Sequence, residues 1–454
     1  MNTRTTTMTT TRNPFSAMLA LCALSMAGPF TVSAAPETQP TLATAPVSAQ
    51  PALPRSAARF YGATPLSPAF LQRDPGPQYW SQARKWQGVP GLTRTHGGRL
   101  WATWYAGPLM EGAAGNYSVL VTSDDDGATW TEPVAVFHPF GFFEAKALDP
   151  LLWTDPDGGL WWIHNRWLQV DGHSQLRTVW TFKASDPEKA FTRWSPPQFL
   201  AYGVCINKPT VLSDGTWFRT VVLGPEDPSR LHFYVSRNKG KTWEFLSKHT
   251  PSAPPEIAKA WCEPMVIERR DGSLWTLFRS ERSIKQIESS DGGKTWKNES
   301  DFTTERGIDT RFFITRLQSG RLLFVVNDHP KSRANLTAML SDDDGKTWSH
   351  KLVLDERNAV SYPDGLQTPD GNIYIIYDRG RYNKDQQEIL FAKFTENDVL
   401  AGRLENPGSK LKQLINRLAD TGGGVKTSSE ASALAKENKA RNDSAKSTQS
   451  PRSK

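Results

Sequence analysis

The chain has little cysteine, few histidines and no long apolar run beyond its first residues. Three Cys among 454 residues cannot build a disulfide framework. The eight His are scattered, and no pair has the spacing of metal ligands. Outside the extreme N-terminus there is no apolar run of roughly eighteen residues, which excludes a polytopic membrane protein. No glycine-rich phosphate loop precedes a helix. The sequence therefore predicts neither a metal site nor a cofactor.

The excess of basic residues belongs to the ends of the chain. The whole chain has a formal net charge of +7. Residues 401–454 contain eleven Lys and Arg against five Asp and Glu, and residues 1–57 contain three Arg against one Glu. The 343 residues between these segments carry a net charge of about −1. A core without excess positive charge does not fit a nucleic-acid-binding surface, so nucleic acid is not an expected partner.

The first 35 residues have the order of an export signal. Arg4 and Arg12 precede an apolar stretch over 15–32, and small residues follow directly. This order predicts a cleaved signal peptide over residues 1–35 and a location in the periplasm or outside the cell. A single membrane anchor is the alternative. Because Gly28-Pro29 interrupts the apolar stretch, we expect no stable insertion into a membrane.

Three further segments follow the export signal. Residues 36–57 are rich in Pro and Ala and predict a linker, and residues 58–405 are expected to form the folded core. The polar, Lys-rich composition of residues 406–454 predicts a basic and mostly disordered tail, because it cannot bury enough apolar surface. Helical spacing is present at the start of this tail, at Leu411, Leu414, Ile415 and Leu418.

A short motif repeats along the core. The pattern Ser-x-Asp-x-Gly-x-Thr-Trp begins at Ser123, Ser289 and Ser341, a variant with Asn begins at Ser236, and a degenerate copy spans 185–194. In each copy the Ser and Asp side chains are suited to satisfy the backbone of a tight turn, and Gly is suited to a positive φ. The motif therefore predicts a set of similar hairpins.

A glycine turn between two apolar runs is a second repeated marker. It occurs at Gly98, Gly158, Gly215, Gly272, Gly320 and Gly371. Six such hairpins, each followed by a further hairpin, predict an all-β fold, a six-bladed β-propeller of four-stranded antiparallel blades. The last repeat lacks the Ser/Asp motif, so we expect an N-terminal strand within 78–86 to complete the last blade.

Charged residues recur where the strands of these hairpins begin and end. Nine positions before the glycines lie Val89, Asp149, Ile206, Glu263, Arg311 and Tyr362, and seven positions after them lie Tyr105, Asn165, Val222, Arg279, Asn327 and Asp378. Because a hairpin's first strand begins where its second strand ends, these positions are expected to meet at one mouth of the propeller. Burying so many ionisable groups without a ligand is costly, so the pattern predicts a polar central site.

The same residues resemble the sialidase (neuraminidase) superfamily of glycoside hydrolases. The resemblance covers roughly residues 85–400 and rests on the Ser/Asp motifs, the sixfold period and four segments between the motifs. These segments are Trp261-Cys262-Glu263-Pro264, Phe278-Arg279, Arg333-Ala334-Asn335-Leu336 and Ser361-Tyr362. The resemblance implies a sialidase-like propeller that acts on terminal acidic sugars of glycans.

The resemblance also implies roles for individual residues. Tyr362 would be the nucleophile, Glu263 its base, and Arg279 and Arg333 two members of an arginine clamp for the carboxylate of the sugar. A neutral phenol approaches an anomeric carbon that carries a carboxylate without charge repulsion, but its ordinary pKa near 10 requires a partner to take the proton. The planar fork of Arg suits a carboxylate.

The sequence departs from the sialidase pattern at two places. Gly88-Val89-Pro90 stands where sialidases have an Arg-Ile-Pro-like motif, and Ala113-Ala114 stands near the usual acid/base Asp. The first clamp arginine and the usual acid are therefore absent. Candidates to rebuild a polar, positive pocket are Arg311, Lys208, Asn207 and Arg166, and candidates for the general acid are Asp149, Glu144 and Glu111.

Three functions remain open from the sequence. The first is an exported exo-glycosidase of the sialidase type. The second is a uronate-directed lyase, with Tyr362 as base and Arg279 or Arg311 neutralising the carboxylate. The third is a glycan-binding propeller without catalysis, with the loop 137–143 stacking on sugars. A glycan is the expected partner in each, and the protein is expected to be monomeric.

Two cysteines occupy equivalent positions in neighbouring repeats. Cys205 and Cys262 each lie ten residues before a repeat glycine. A disulfide between them and two buried free thiols are both compatible with the sequence.

Overall fold

The protein is described from a computed structural model. The described residues are 70–139, 145–169, 175–223, 230–252, 262–280, 283–302, 310–382 and 387–418. The predicted signal peptide and linker lie outside them, as do Glu144, Trp261, most of the 137–143 loop and the tail beyond residue 418. Within the described part of the chain, no helix is long and apolar enough to cross a membrane.

The described residues form a six-bladed β-propeller, as the sequence predicts. Each blade is one antiparallel sheet. Blade 1 contains β1 (Phe70–Arg73), β2 (Trp86–Arg94), β3 (Leu100–Gly107), β4 (Tyr117–Ser123) and β5 (Ala135–His138). Blade 2 contains β6 (Ala145–Thr154), β7 (Leu160–Gln169), β8 (Gln175–Lys183) and β9 (Gln198–Tyr202). Blade 3 contains β10 (Thr210–Val211), β11 (Trp217–Val222), β12 (Leu231–Ser236) and β13 (Glu244–His249).

The second half of the propeller repeats the same order. Blade 4 contains β14 (Met265–Glu268), β15 (Leu274–Arg279), β16 (Ile284–Ser289) and β17 (Lys297–Asp301). Blade 5 contains β18 (Phe313–Arg316), β19 (Leu322–Asn327), β20 (Leu336–Ser341) and β21 (His350–Asp355). Blade 6 contains β22 (Val360–Gln367), β23 (Asn372–Arg379), β24 (Glu388–Thr395) and β25 (Lys410–Arg417). A helix, α1 (Glu396–Ala401), lies between the last two strands.

The repeated sequence markers occupy the turns that they predict. All six repeat glycines join the first two strands of a blade and have φ between +80° and +103°. In the first Ser/Asp motif, Ser123 Oγ donates to Asp125 Oδ1 at 2.8 Å and accepts from the Gly127 backbone N at 2.9 Å. Thr129 donates to the same carboxylate through its backbone N and its hydroxyl. The motif is therefore a self-contained turn between the two outer strands of a blade.

The motif glycines also lie where adjacent blades pack together. A Cβ placed on Gly127 of blade 1 would be 2.3 Å from the ring of Phe391 in blade 6, and one on Gly345 of blade 5 would be 2.6 Å from the ring of Trp275 in blade 4. Glycine is required at these positions both for the positive φ and for the close approach of an aromatic ring. The motif thus links turn chemistry to the packing between blades.

The outer strands at the two ends of the chain differ from the prediction. Blade 6 is completed by β25, which lies beyond the expected end of the core at residue 405 and covers the stretch with helical spacing. The segment 78–86 does not complete blade 6: it contains two short 3-10 turns and the start of β2. The N-terminal strand is instead β1, which pairs with β5 of blade 1. Tertiary pairing overrides the helical spacing here.

Side-chain contacts close the ring between the first and last blades. Gln387 of blade 6 accepts a hydrogen bond from the Gln87 backbone N at 2.9 Å through Oε1 and donates to the Lys85 carbonyl at 3.2 Å. Arg84 donates to the side chain of Asn416 at 3.1 Å. Since each of the two blades has its own outer strand, the ring closes through contacts between sheets.

Candidate active site

Four of the six blades have a residue with left-handed backbone on or just before their inner strand, at the same mouth of the propeller. Val89, Asp149, Glu263 and Tyr362 have φ of 55°, 44°, 44° and 57°, and each precedes a proline. The pairing register of β2, β6 and β22 shifts at these residues. Residues other than glycine rarely adopt this backbone conformation, and the residue before a proline usually has an extended backbone. Such strain concentrates at functional sites.

Asparagine side chains from neighbouring strands hold two of these turns. Asn165 Nδ2 donates to the Asp149 carbonyl at 2.9 Å, and Asn207 Nδ2 donates to the Glu263 carbonyl at 3.1 Å. The Asn207 Oδ1 atom accepts from Arg311 Nη2 at 3.0 Å. In the structure the Asn207 amide positions Glu263, and a contact of Asn207 with substrate stays a prediction.

A buried aspartate holds the other two turns across the ring seam. Asp378 Oδ2 accepts from the Val89 backbone N at 2.8 Å, and Asp378 Oδ1 accepts from Ser361 Oγ at 2.6 Å. Ser361 directly precedes Tyr362, so one carboxylate positions the strand ends of blades 1 and 6. The site depends on closure of the ring.

The structure brings together Tyr362, Glu263 and Arg279. Arg279 Nη1 lies 3.1 Å from both carboxylate oxygens of Glu263 and 3.4 Å from Tyr362 Oη. The side chain of Glu263 is only 2% exposed and that of Arg279 is 13% exposed. Burial and the charge of Glu263 raise the pKa of Tyr362 to about 12. The site therefore holds a neutral phenol beside an ion-paired carboxylate.

Three further guanidinium groups surround the phenol ring. The Cζ atoms of Arg381, Arg333 and Arg311 lie 4.1, 5.4 and 5.7 Å from the ring centroid of Tyr362. In addition, several guanidinium nitrogens of the cluster are buried and make no hydrogen bond to any described residue: Arg279 Nε, Arg311 Nε and Nη1, Arg333 Nη1, and Arg381 Nε and Nη2. Buried donors without acceptors are costly, so this arrangement suits an anionic ligand.

Arg381 is a residue that sequence reasoning missed. It follows the end of β23 in blade 6, is 2% exposed, and lies 3.2 Å from Glu111 Oε1. Arg381 comes ten residues after Gly371, so it is at neither of the two repeated positions, nine residues before and seven residues after a repeat glycine. The signal in the sequence was the cluster of charged residues from Asp378 to Arg381 at the end of β23.

Two carboxyl groups lie near the phenol in different environments. Burial, together with the charges of Glu111 and Glu263, raises the pKa of Asp149 to about 7. Glu111 accepts a hydrogen bond from Tyr105 Oη at 3.0 Å and pairs with Arg381. With this pKa, Asp149 holds a proton in part of the molecules at neutral pH. That property suits a general acid.

Lys208, which the sequence predicts to bind substrate, makes its polar contacts within the protein. Its Nζ donates to the carbonyls of Leu92 at 2.7 Å and Gly365 at 2.6 Å, and it pairs with Asp364 at 2.9 Å. All three hydrogens of the ammonium group are thus used within the protein. Lys208 ties blades 1, 3 and 6 together inside the ring, and these contacts do not support its predicted role in binding substrate.

Arg166 is also placed differently from the central residues. It is buried in β7 directly after Asn165. Successive side chains of a strand point to opposite faces. Asn165 contacts the carbonyls of Asp149 and Cys205. The Arg166 side chain therefore lies on the opposite face of the strand. The sequence prediction that it binds substrate gains no support from this position.

The two cysteines of the core are separate thiols. Cys205 and Cys262 are both buried, and neither takes part in a disulfide. The Cys205 thiol donates to the Asn207 carbonyl, with Sγ and O 3.4 Å apart, and burial raises the pKa of Cys262 to about 11. Of the two possibilities left open by the sequence, the structure shows two buried thiols that are not joined in a disulfide.

Comparisons with known proteins agree with this architecture. The profile of the BNR repeat-like domain family matches residues 140–375. The anhydrosialidase of Macrobdella decora is 24% identical over 268 residues, which are 54% of this chain and 31% of that protein. The chain thus spans about a third of the length of this curated relative.

Solved structures with the same fold include two sialidase-type proteins. Hadza microbial sialidase Hz136 is similar with a TM-score of 0.55 and 19% identity, over 69% of this chain and 66% of that chain. A leech intramolecular trans-sialidase is similar with a TM-score of 0.56 and 12% identity, over 71% and 70%. The family profile matches more than half of the chain, so the chain belongs to the BNR repeat-like domain family, within the superfamily of the sialidases that it resembles.

Proposed function

We propose that this protein is a glycoside hydrolase that removes a terminal acidic sugar from a glycan, with Tyr362 as its nucleophile. The observation that carries the proposal is the contact of one guanidinium nitrogen, Arg279 Nη1, with both the Glu263 carboxylate and the Tyr362 hydroxyl. A nucleophile beside a carboxylate that can take its proton is the arrangement of covalent catalysis.

The first step forms a glycosyl-enzyme. Tyr362 Oη attacks the anomeric carbon of the sugar, and Glu263 takes the phenolic proton. The bond from the anomeric carbon to the leaving oxygen breaks, and Asp149 gives that oxygen a proton. Because the pKa of Tyr362 is about 12, the phenol is neutral until the attack, and a neutral nucleophile is not repelled by a carboxylate on the sugar.

The second step releases the sugar. Asp149, now ionised, takes a proton from a water molecule that attacks the anomeric carbon. The bond between the sugar and Tyr362 Oη breaks, and the phenolate recovers its proton from Glu263. Both carboxyl groups return to their starting states, as a retaining mechanism requires.

The cluster of guanidinium groups supports an acidic substrate. Four arginines face the phenol or pair beside it, and six of their nitrogens make no hydrogen bond to any described residue. A sugar carboxylate supplies the acceptors that these donors lack. The name of the curated relative, an anhydrosialidase, points to sialic acid as the first substrate to test.

Two conservative variants test the chemistry. Glu263→Gln and Tyr362→Phe are expected to lower kcat on aryl sialosides or related sugar acids at least about 100-fold, the usual scale for loss of an acid–base group. Glu268→Gln, on β14 of the same blade, and Tyr202→Phe, on an outer strand, are the matched controls and should keep wild-type rates. Unchanged turnover in Glu263→Gln or Tyr362→Phe contradicts the proposal.

The products separate this function from its alternatives. A hydrolase releases a reducing sugar, whereas a lyase acting on a uronate leaves a carbon–carbon double bond that absorbs in the ultraviolet. Incubation with sialosides and with uronic-acid oligosaccharides, followed by both assays, decides between them. Glycan binding without any product in either assay is the result expected of a non-catalytic propeller.

We also propose that the protein is exported. The charged, apolar and small-residue order of residues 1–35 supports this proposal. Fractionation of cells that express the full chain, and of cells that express the chain without these residues, tests it. Retention of both forms in the cytoplasm contradicts it.

A further inference from the structure

We infer that Arg381, supplied by blade 6, takes the place of a substrate-binding side chain that blade 1 lacks at Gly88, and that it contacts the carboxylate of the bound sugar. This inference rests on the proposed function in one respect, namely that the ligand is an acidic sugar. It assigns the anion-binding role on this side of the pocket to a residue 293 positions away in the sequence.

The space beside Gly88 is filled by the stem of Arg381. A Cβ built on Gly88 would lie 2.4 Å from Arg381 Cδ and 2.9 Å from Arg381 Cγ. These distances are far below van der Waals contact. A side chain at position 88 and the present position of Arg381 therefore exclude each other, and the absence of a side chain in blade 1 is what admits the arginine from blade 6.

Carboxylates on both sides hold the Arg381 guanidinium in place. Its Nη1 lies 3.2 Å from Glu111 Oε1, and its Nε lies 3.7 Å from Asp378 Oδ2. Asp378 is itself fixed by the Val89 backbone N and by Ser361. The guanidinium is thus held between carboxylates from blades 1 and 6, with the ring of Tyr362 4.1 Å from its Cζ.

Two nitrogens of the Arg381 guanidinium lack a hydrogen bond within the described residues. Its Nη2 makes no hydrogen bond to any described residue, and its Nε has only the 3.7 Å ion pair with Asp378, although the side chain is only 2% exposed. A structural ion pair would be expected to use these donors within the protein. Donors left unused beside the nucleophile are the feature that favours a ligand anion over a purely structural role.

Binding measurements with an acid and its ester test the inference. Calorimetry with N-acetylneuraminic acid, glucuronic acid and the methyl ester of each reports how much the protein depends on the carboxylate. Arg381→Ala is expected to weaken binding of the preferred acid about 10- to 100-fold, as for loss of a charged hydrogen bond. It should leave binding of the ester within about 2-fold.

Further variants keep the test decisive. Arg381→Lys preserves the charge but loses the fork, so an intermediate loss of acid binding is expected. Gly88→Ala, which displaces the arginine, should reproduce the Arg381→Ala effect. Arg94→Ala, at the opposite end of β2, is the control. If Arg381→Ala does not fold, Arg381→Lys and Gly88→Ala provide the same comparison of acid with ester.

Each outcome has a defined meaning. Equal weakening of acid and ester by Arg381→Ala indicates a structural role and overturns the inference, as does a wild-type protein without preference for acid over ester. If Arg381→Ala loses the preference for acid over ester and the wild type shows no turnover, the inference is supported and the proposed function is contradicted. If the wild type turns over an acidic sugar and Arg381→Ala keeps the full preference for the acid, the proposed function is supported and the inference is overturned.

Discussion

Asp149 combines three unfavourable features in one residue. Its backbone has a left-handed φ of 44°, its carboxyl group is partly buried, and two other carboxylates act on it electrostatically. Each feature costs free energy, and burial and the two carboxylates also raise the pKa of Asp149, which suits a group that must carry a proton near neutral pH. Proteins commonly accept such costs where a residue performs chemistry.

The first prediction concerns the stability of the Asp149→Asn variant. The folded-state pKa of about 7 lies above the ordinary value of 3.8. The folded state therefore binds more protons than the unfolded state between these values, and stability is lost as the pH rises through about 7. Asn removes this loss and also tolerates the left-handed backbone. We expect the melting temperature of the variant to exceed that of the wild type by more at pH 8 than at pH 4.

The same variant gives a second prediction for catalysis. If Asp149 protonates the leaving oxygen, the rate on substrates with a sugar leaving group falls as the pH rises through about 7. Asp149→Asn should be slow on these substrates at every pH and should lack this limb of the profile. Aryl glycosides need less protonation and should be affected less. Asp157→Asn, at the glycine turn of the same blade, is the control, and an unchanged profile in Asp149→Asn assigns the acid elsewhere.

At the scale of elements, the Ser/Asp turns contribute to packing between blades. Gly127 has φ of 85° and lies against the ring of Phe391, whereas Gly371 has φ of 83° and open space around its Cα. Alanine at either position costs about 1–2 kcal/mol for the left-handed backbone. At Gly127 it also forces a ring to move, which adds about 1–3 kcal/mol. Urea denaturation should show Gly127→Ala to be clearly less stable than Gly371→Ala, and equal losses contradict this role of the motif.

The outer strand β25 gives a prediction for truncated chains. It pairs with β24 and completes blade 6. A chain ending at residue 409 leaves the edge of β24 unpaired and uncovers apolar surface, so we expect a lower melting temperature and aggregation. A chain ending at residue 418 keeps every described strand and should melt like the full chain. Similar stability of both truncated forms contradicts the assignment of β25 to the blade.

Much of the element order could be predicted from local chemistry. The Ser/Asp motifs and the repeat glycines define turns through interactions within a few residues, so their sequence pattern is sufficient. The two end strands could not be predicted in this way. Leu411, Leu414 and Ile415 have helical spacing, but the free edge of β24 offers hydrogen bonds that a solvent-exposed helix does not. Long-range pairing decided their structure.

At the scale of the whole molecule, the seam between blades 1 and 6 holds the ring and the site together. The fourth stability prediction concerns Gln387, whose side chain accepts from the Gln87 backbone N in a buried position. Gln387→Ala leaves that N–H without a partner, at a cost of about 1–3 kcal/mol. Gln367→Ala removes a similar acceptor, for the backbone N of Gln318, at an exposed position. Urea denaturation should show a larger loss for Gln387→Ala, and the reverse order contradicts the importance of the seam.

The site was predictable only in part, for a related reason. Glu263, Arg279 and Tyr362 lie at repeated positions, so the period of the blades brings them to one mouth. Arg381 reaches the same mouth from outside the repeat, across a seam that forms only when the ring closes. The contacts of Lys208 with blades 1 and 6 likewise depend on closure, and no local pattern distinguishes such a tie from a substrate-binding residue.

The most direct test of the central claim is to identify the residue that becomes attached to the sugar. The protein is incubated with a fluorinated derivative of the sugar acid it turns over, which forms the glycosyl-enzyme but hydrolyses slowly, and is then analysed by intact mass and peptide mapping. The account predicts one added sugar, attached to Tyr362, and no addition to Tyr362→Phe. Turnover with the sugar attached to another residue, or undiminished turnover by Tyr362→Phe, would contradict it.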